Sequence, residues 1–123
     1  MAGIRKAIGN RWRTFQDKVR NSSFFRWYKV ESQHTLQTGK RPDYFAIAKA
    51  NPQQKAVADA KFVKELTPQN VKQVADYKGT TGAQRAAIFV PKKTKISEAV
   101  RQKANDEGIK IIRKKARLQK IKV

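Results

Sequence analysis

The sequence predicts a small α+β protein, with a helical N-terminal and middle region followed by a short strand-helix-strand unit and a basic C-terminal tail. Three observations predict it. Apolar residues recur at helical spacing near the start, capping residues precede prolines in the middle, and apolar runs flank a polar, helix-forming stretch near the end. The implied plan is a basic amphipathic helix over 1–22 and an aromatic segment with a helical middle over 23–78. A linker over 79–83 and a strand-helix-strand unit with its basic tail over 84–123 complete it.

In the opening segment Ile4, Ile8, Trp12, Phe15 and Val19 fall within a stripe roughly 80° wide at about 100° per residue. Lys6, Arg13 and Arg20 fall on the far side. Asn21-Ser22-Ser23 reads as the stop. The next segment, "FFRWYKV", holds the densest aromatic cluster and favours an extended chain. Its residues pack against neighbouring helices or, in the sharper reading, Arg26 and Lys29 contact phosphates while Trp27 or Tyr28 stacks on an exposed base.

A loop signalled by Thr38-Gly39 and Arg41-Pro42 follows, and "DYFAIAKA" is a short helix candidate. Asn51-Pro52 and Thr67-Pro68 each place a capping residue before a proline suited to the first helical position. The first predicts a helix through Leu66 that buries Ala58, Phe62, Val63 and Leu66. The second predicts a helix to Lys78 that buries Val71, Val74 and Ala75, with Gly79 as its stop. After the linker, "RAAIFVP" reads as a strand ended by Pro91. "TKISEAVRQKANDEG" reads as a helix with Thr94 or Ser97 near its start and Gly108 at its end. "IKIIRKK" reads as a second strand.

Composition narrows the function. Hydrophobic residues make up 39% of the 123, which allows a modest core. There is no Cys, so disulfides and thiolate chemistry are excluded, and no apolar run of about eighteen residues reads as a membrane span. Net charge is +20. Residues 1–42 hold ten basic and two acidic side chains, residues 43–76 five and four, and residues 77–123 fourteen and three. The excess thus lies at the two ends, and a polyanionic partner would relieve the self-repulsion.

Chemistry is harder to find. His34 is the one histidine, and Glu31 three positions earlier makes a lone Glu-x-x-His with none of the further ligands that a carboxylate-bridged metal site needs. Gly39-Lys40 lacks the spacing of a phosphate loop, and Gly79 and Gly82 precede a strand instead of following one. The nine acidic residues look scattered. The sequence therefore predicts no catalytic residue, no metal and no cofactor.

The expected function is a non-enzymatic, sequence-independent nucleic-acid-binding structural protein inside a ribosome-like or viral particle, intracellular and not secreted. The expected phosphate contacts are Lys6, Arg13, Arg20, Arg26, Lys29, Lys92, Lys93, Lys95, Arg113, Lys114, Lys115, Arg117, Lys120 and Lys122. The apolar face of Ile4, Ile8, Trp12, Phe15 and Val19 would dock on other proteins of the assembly. The alternative is a peripheral membrane or scaffold protein using that same helix, whose composition a transit peptide shares. A further alternative is a protein linked covalently to a genome end through a hydroxyl.

Overall fold

Residues 55–60 alternate small Ala56, Ala58 and Ala60 with Val57 and Asp59, a period of two that suits a strand buried on both faces. The structure, a computed structural model, describes residue 15, residues 17–32 and residues 42–114. Five strands form one sheet in chain order: β1 (Tyr28–Ser32), β2 (Tyr44–Ala48), β3 (Lys55–Ala60), β4 (Arg85–Pro91) and β5 (Ile109–Lys114). The first three pair antiparallel, and β3, β4 and β5 pair parallel. Each parallel step is bridged by a helix, α1 (Pro68–Thr81) and then α2 (Glu98–Asp106).

This corrects the predicted fold class. Before α1 the middle region is not helical: "YFAIA" and "KAVADA" are adjacent strands of a mixed sheet. Alanine is the best helix former, so propensity favoured a helix after Asn51-Pro52. Packing decides otherwise. Ala56, Ala58 and Ala60, with Ala46 and Ala87, present a low surface on which Phe15, Val19, Phe24, Phe25 and Phe89 form one core layer. Larger residues there would hold the rings off the sheet. The opposite face carries Phe45, Val57, Ile88, Val90 and Ile109, covered by Val71, Val74 and Tyr77 of α1 and by Val100 and Ala104 of α2.

Thr67-Pro68 does start a helix. The Thr67 hydroxyl accepts from the Asn70 N–H while the Asn70 side chain accepts from the Thr67 N–H, a reciprocal cap. The helix runs past Gly79 and stops at Gly82, whose φ of 69° is the left-handed conformation that glycine adopts freely. Ser97 caps α2 by accepting from the Val100 N–H. Near the N-terminus, Phe15 and residues 17–20 are helical, and a 3-10 turn (Ser23–Phe25) leads into β1. Ile4, Lys6, Ile8, Trp12, Arg13, His34, Lys115, Arg117, Lys120 and Lys122 lie outside the described residues.

Candidate active site

One step beyond the last β2–β3 pair, Tyr44 with Ala58, the register brings Asp43 opposite Asp59. Both carboxylates lie on the α1 side of the sheet, because side chains alternate and Phe45 and Val57 pack there. They replace the backbone ladder at this point. Asp59 Oδ1 accepts from the Asp43 N–H at 2.9 Å, and Asp43 Oδ2 accepts from the Ala60 N–H at 2.9 Å. Asp59 is 2% exposed. Two like charges facing each other across antiparallel strands are destabilising unless a cation answers them.

Lys61 supplies one positive charge. Its Nζ lies 3.3 Å from Asp59 Oδ2 and donates to Gln73 Oε1 at 2.8 Å. Gln73 sits on the second turn of α1, one turn before Tyr77, so the helix cap at Thr67 fixes the residue that holds Lys61 in place. Burial, then the charge of Asp59, raises the Asp43 carboxyl above its ordinary 3.8; the Ala60 N–H and Lys61 oppose this only in part. The field reaches two phenols. Tyr77 is raised by burial and by Asp59, against a hydrogen bond with Gln73. Tyr44 is pushed up to about 12 by burial and by Asp43.

The site stands at the carboxyl end of β3, the strand where pairing changes from antiparallel to parallel. Open α/β sheets place ligand sites outside the carboxyl ends of their parallel strands. The segments leaving β3 and β4 are tied together beside it. Thr94 Oγ1 donates to Val63 O at 2.6 Å, and the Lys95 N–H donates to Lys64 O at 2.8 Å. Between them opens a groove of about 600 Å³ that Phe62, Val63, Pro91, Lys64, Lys93 and Lys95 help to line.

The structure sorts the expected phosphate contacts by position. Lys92, Lys93, Lys95, Arg113 and Lys114 share the end of the sheet that holds Asp43 and Asp59. Arg113 directs its guanidinium onto Lys92 O at 2.8 Å and Thr94 O at 2.7 Å, which clamps the loop presenting the three lysines. Arg26, Trp27, Tyr28 and Lys29 lie toward the other end, where β1 begins. Arg20 is exposed at the end of the N-terminal helical turn. Tyr28 is half-buried with the Arg85 guanidinium 5.7 Å from its ring, whereas Trp27 is 70% exposed.

The apolar face expected to dock on other proteins is corrected in part. Phe15 is 1% and Val19 0% exposed, both buried in the chain's own core, so neither is available to a partner protein or a membrane surface. Among the described residues no helix is long and apolar enough to cross a membrane.

No family model and no curated protein matches the sequence. The fold is similar to that of a crystal structure of a repair endonuclease from Pyrococcus abyssi, with a TM-score of 0.54 and 18% identity over 72% of this chain. The likeness covers 39% of that longer chain, so this chain spans about two fifths of its length. The expectation of a non-enzymatic structural protein is thereby overturned. The fold is one that an endonuclease uses, and carboxylates that look scattered in sequence converge with a lysine in space. Nothing in the fold or the comparisons supports a virion or ribonucleoprotein role.

Asp43, Asp59, Lys61 and Gln73 are the residues that sequence reasoning missed. A signal was present. Asp59 interrupts the apolar run "AVADA", and a charge inside a buried strand is rare unless it is paired or functional.

Proposed function

We propose that this chain is a divalent-cation-dependent hydrolase of phosphodiester bonds in nucleic acid. The observation that carries the reading is buried Asp59 facing half-buried Asp43 with Lys61 beside them, on a chain of net charge +20. The fold shared with a repair endonuclease supports it.

The donor set is oxygen alone, from two carboxylates in a chain without Cys, and it suits a hard cation. Two carboxylates, completed by water and substrate phosphate, are the usual holding of Mg²⁺ or Mn²⁺. Asp43 and Asp59 would hold the ion, which when bound polarises phosphoryl oxygens and acidifies water.

The chain's own residues do the rest. Gln73 takes one of the three N–H donors of Lys61 and Asp59 holds the ammonium as an ion pair, so a donor can turn to a water or a phosphoryl oxygen. The water oxygen bonds to phosphorus and gives up a proton, one P–O ester bond breaks, and the departing oxygen takes up a proton in its place. Lys92, Lys93 and Lys95 offset the phosphate charge at the same end of the sheet.

The test is cleavage of single-stranded, duplex and branched DNA and of RNA in Mg²⁺ or Mn²⁺. Asp59→Asn and Lys61→Ala should each lower the rate by at least about a hundredfold while nucleic-acid binding persists. No cleavage by the parent, or full activity of Asp59→Asn, overturns the reading.

A further inference from the structure

Trp27 is 70% exposed on a segment whose other aromatic residues are buried or half-buried. The turn that carries it is pinned from behind. Phe24 and Phe25 are buried edge to face at 5.0 Å, and the Arg85 guanidinium lies 4.3 Å from the Phe24 ring and donates to Phe24 O at 3.1 Å. The Arg26 guanidinium lies 5.3 Å from the Trp27 ring centroid. An exposed, rigidly mounted indole beside a guanidinium is a stacking platform for a nucleobase.

The platform shares a sheet face with the carboxylates. The Lys49 N–H donates to Trp27 O at 3.0 Å, extending the β1–β2 ladder by one pair. Tyr28 and Val30 pack into the core on the far side, so alternation places Trp27, Lys29 and Glu31 on the face that holds Phe45 and Ile47. Lys49 and Asp43 lie on that same face of β2. Lys29, Ile47 and Lys55 form one cross-strand row. The face thus runs from Trp27 past Lys29, Lys49 and Lys55 to Asp43, about 20 Å at roughly 3.3 Å per residue. Between Trp27 and the two carboxylates, four cations, counting Arg26, stand against one further acid, Glu31. Lys29 and Lys49 are exposed, since α1 lies over β3, β4 and β5.

We propose that an unpaired stretch of a nucleic-acid strand lies along this face, one base stacked on Trp27 and the phosphates passing Lys29, Lys49 and Lys55 toward Asp43 and Asp59. The proposal rests on the reading of the substrate as nucleic acid, and it adds an anchor remote from the reacting centre that sets how far from a held base the strand is cut.

The test is binding without chemistry, in EDTA, with a labelled oligothymidylate of about a dozen nucleotides and a blunt duplex of equal length. Trp27→Ala should weaken oligothymidylate binding about tenfold, Trp27→Phe should retain most of it, and duplex binding should change less than about twofold. On a Trp12→Phe background, indole emission should be quenched as the oligonucleotide is added. The proposal is overturned if Trp27→Ala binds as the parent does, or if it lowers the sedimenting mass instead, which would make this face an interface between copies. A parent that binds through Trp27 yet cleaves nothing in Mg²⁺ or Mn²⁺ sinks the hydrolase reading and leaves the track. Cleavage with binding indifferent to Trp27 does the reverse.

Discussion

Asp43 shows how a single carboxyl group links stability to function. Burial and the charge of Asp59 raise its pKa above the ordinary 3.8, so the folded protein holds a proton that the unfolded chain has already lost. Stability therefore falls as pH rises from 3.8 through the raised value, and above it the whole penalty is present. Asp43→Asn keeps an oxygen for the Ala60 N–H and removes the charge. Its melting temperature at pH 7 without divalent ions should exceed the parent's by on the order of a few degrees, a gain that shrinks as pH falls toward 3.8. Thermal scans of the two proteins across pH check this, and a lower melting point for the variant at pH 7 would refute it. The pair was hard to read from sequence because its members come from different strands, and only the β2–β3 register makes them neighbours. Lys61 and Gln73 meet for a similar reason: one follows a strand and the other rides a helix.

α1 does more than cross from β3 to β4. Its cap at Thr67 orders the first turn, and the next turn carries Gln73 to Lys61. Thr67→Ala removes the hydroxyl that the Asn70 N–H needs and should cost about 1 kcal/mol. In a chain of this size that lowers the melting point by about 3–5 °C, while Thr67→Ser should restore most of it. Circular dichroism melts separate the two, and equal melting points for Ala and Ser would show that the cap contributes nothing. This element was legible because capping is local: Thr, Pro and Asn within four positions specify it. The strands at 44–48 and 55–60 were not legible in the same way. Their alanines favour a helix locally, and only the aromatic layer of Phe24, Phe25 and Phe89 makes small residues the right choice for a strand.

Across the whole molecule, charge and topology act together. The parallel half of the sheet sends β4 and β5 to the same end as Asp59, and the turn leaving β4 exposes Lys92, Lys93 and Lys95. Arg113 clamps that loop through two carbonyl oxygens, so the lysines project from a fixed support. Replacing all three lysines by Gln should weaken binding to unrelated sequences alike. It should also reduce the slope of log affinity against log salt by about one for each phosphate no longer neutralised. Salt titrations by anisotropy measure both, and a weakening confined to one sequence would point to base readout instead.

By itself the sequence determined the net charge of +20, the absence of Cys, the cap at Thr67, a helix start at Thr94 or Ser97 and the apolar run of β4. These are properties of composition or of a few consecutive residues. The tertiary structure alone decided that the middle is a sheet, that Phe15 and Val19 face inward, and that Asp43, Asp59, Lys61 and Gln73 form one site. The physical reason is distance along the chain. The two carboxylates bind backbone N–H groups sixteen and seventeen positions away, and the parallel pairings of β3 with β4 reach further still. The energy of such interactions lies in partners that no local pattern specifies.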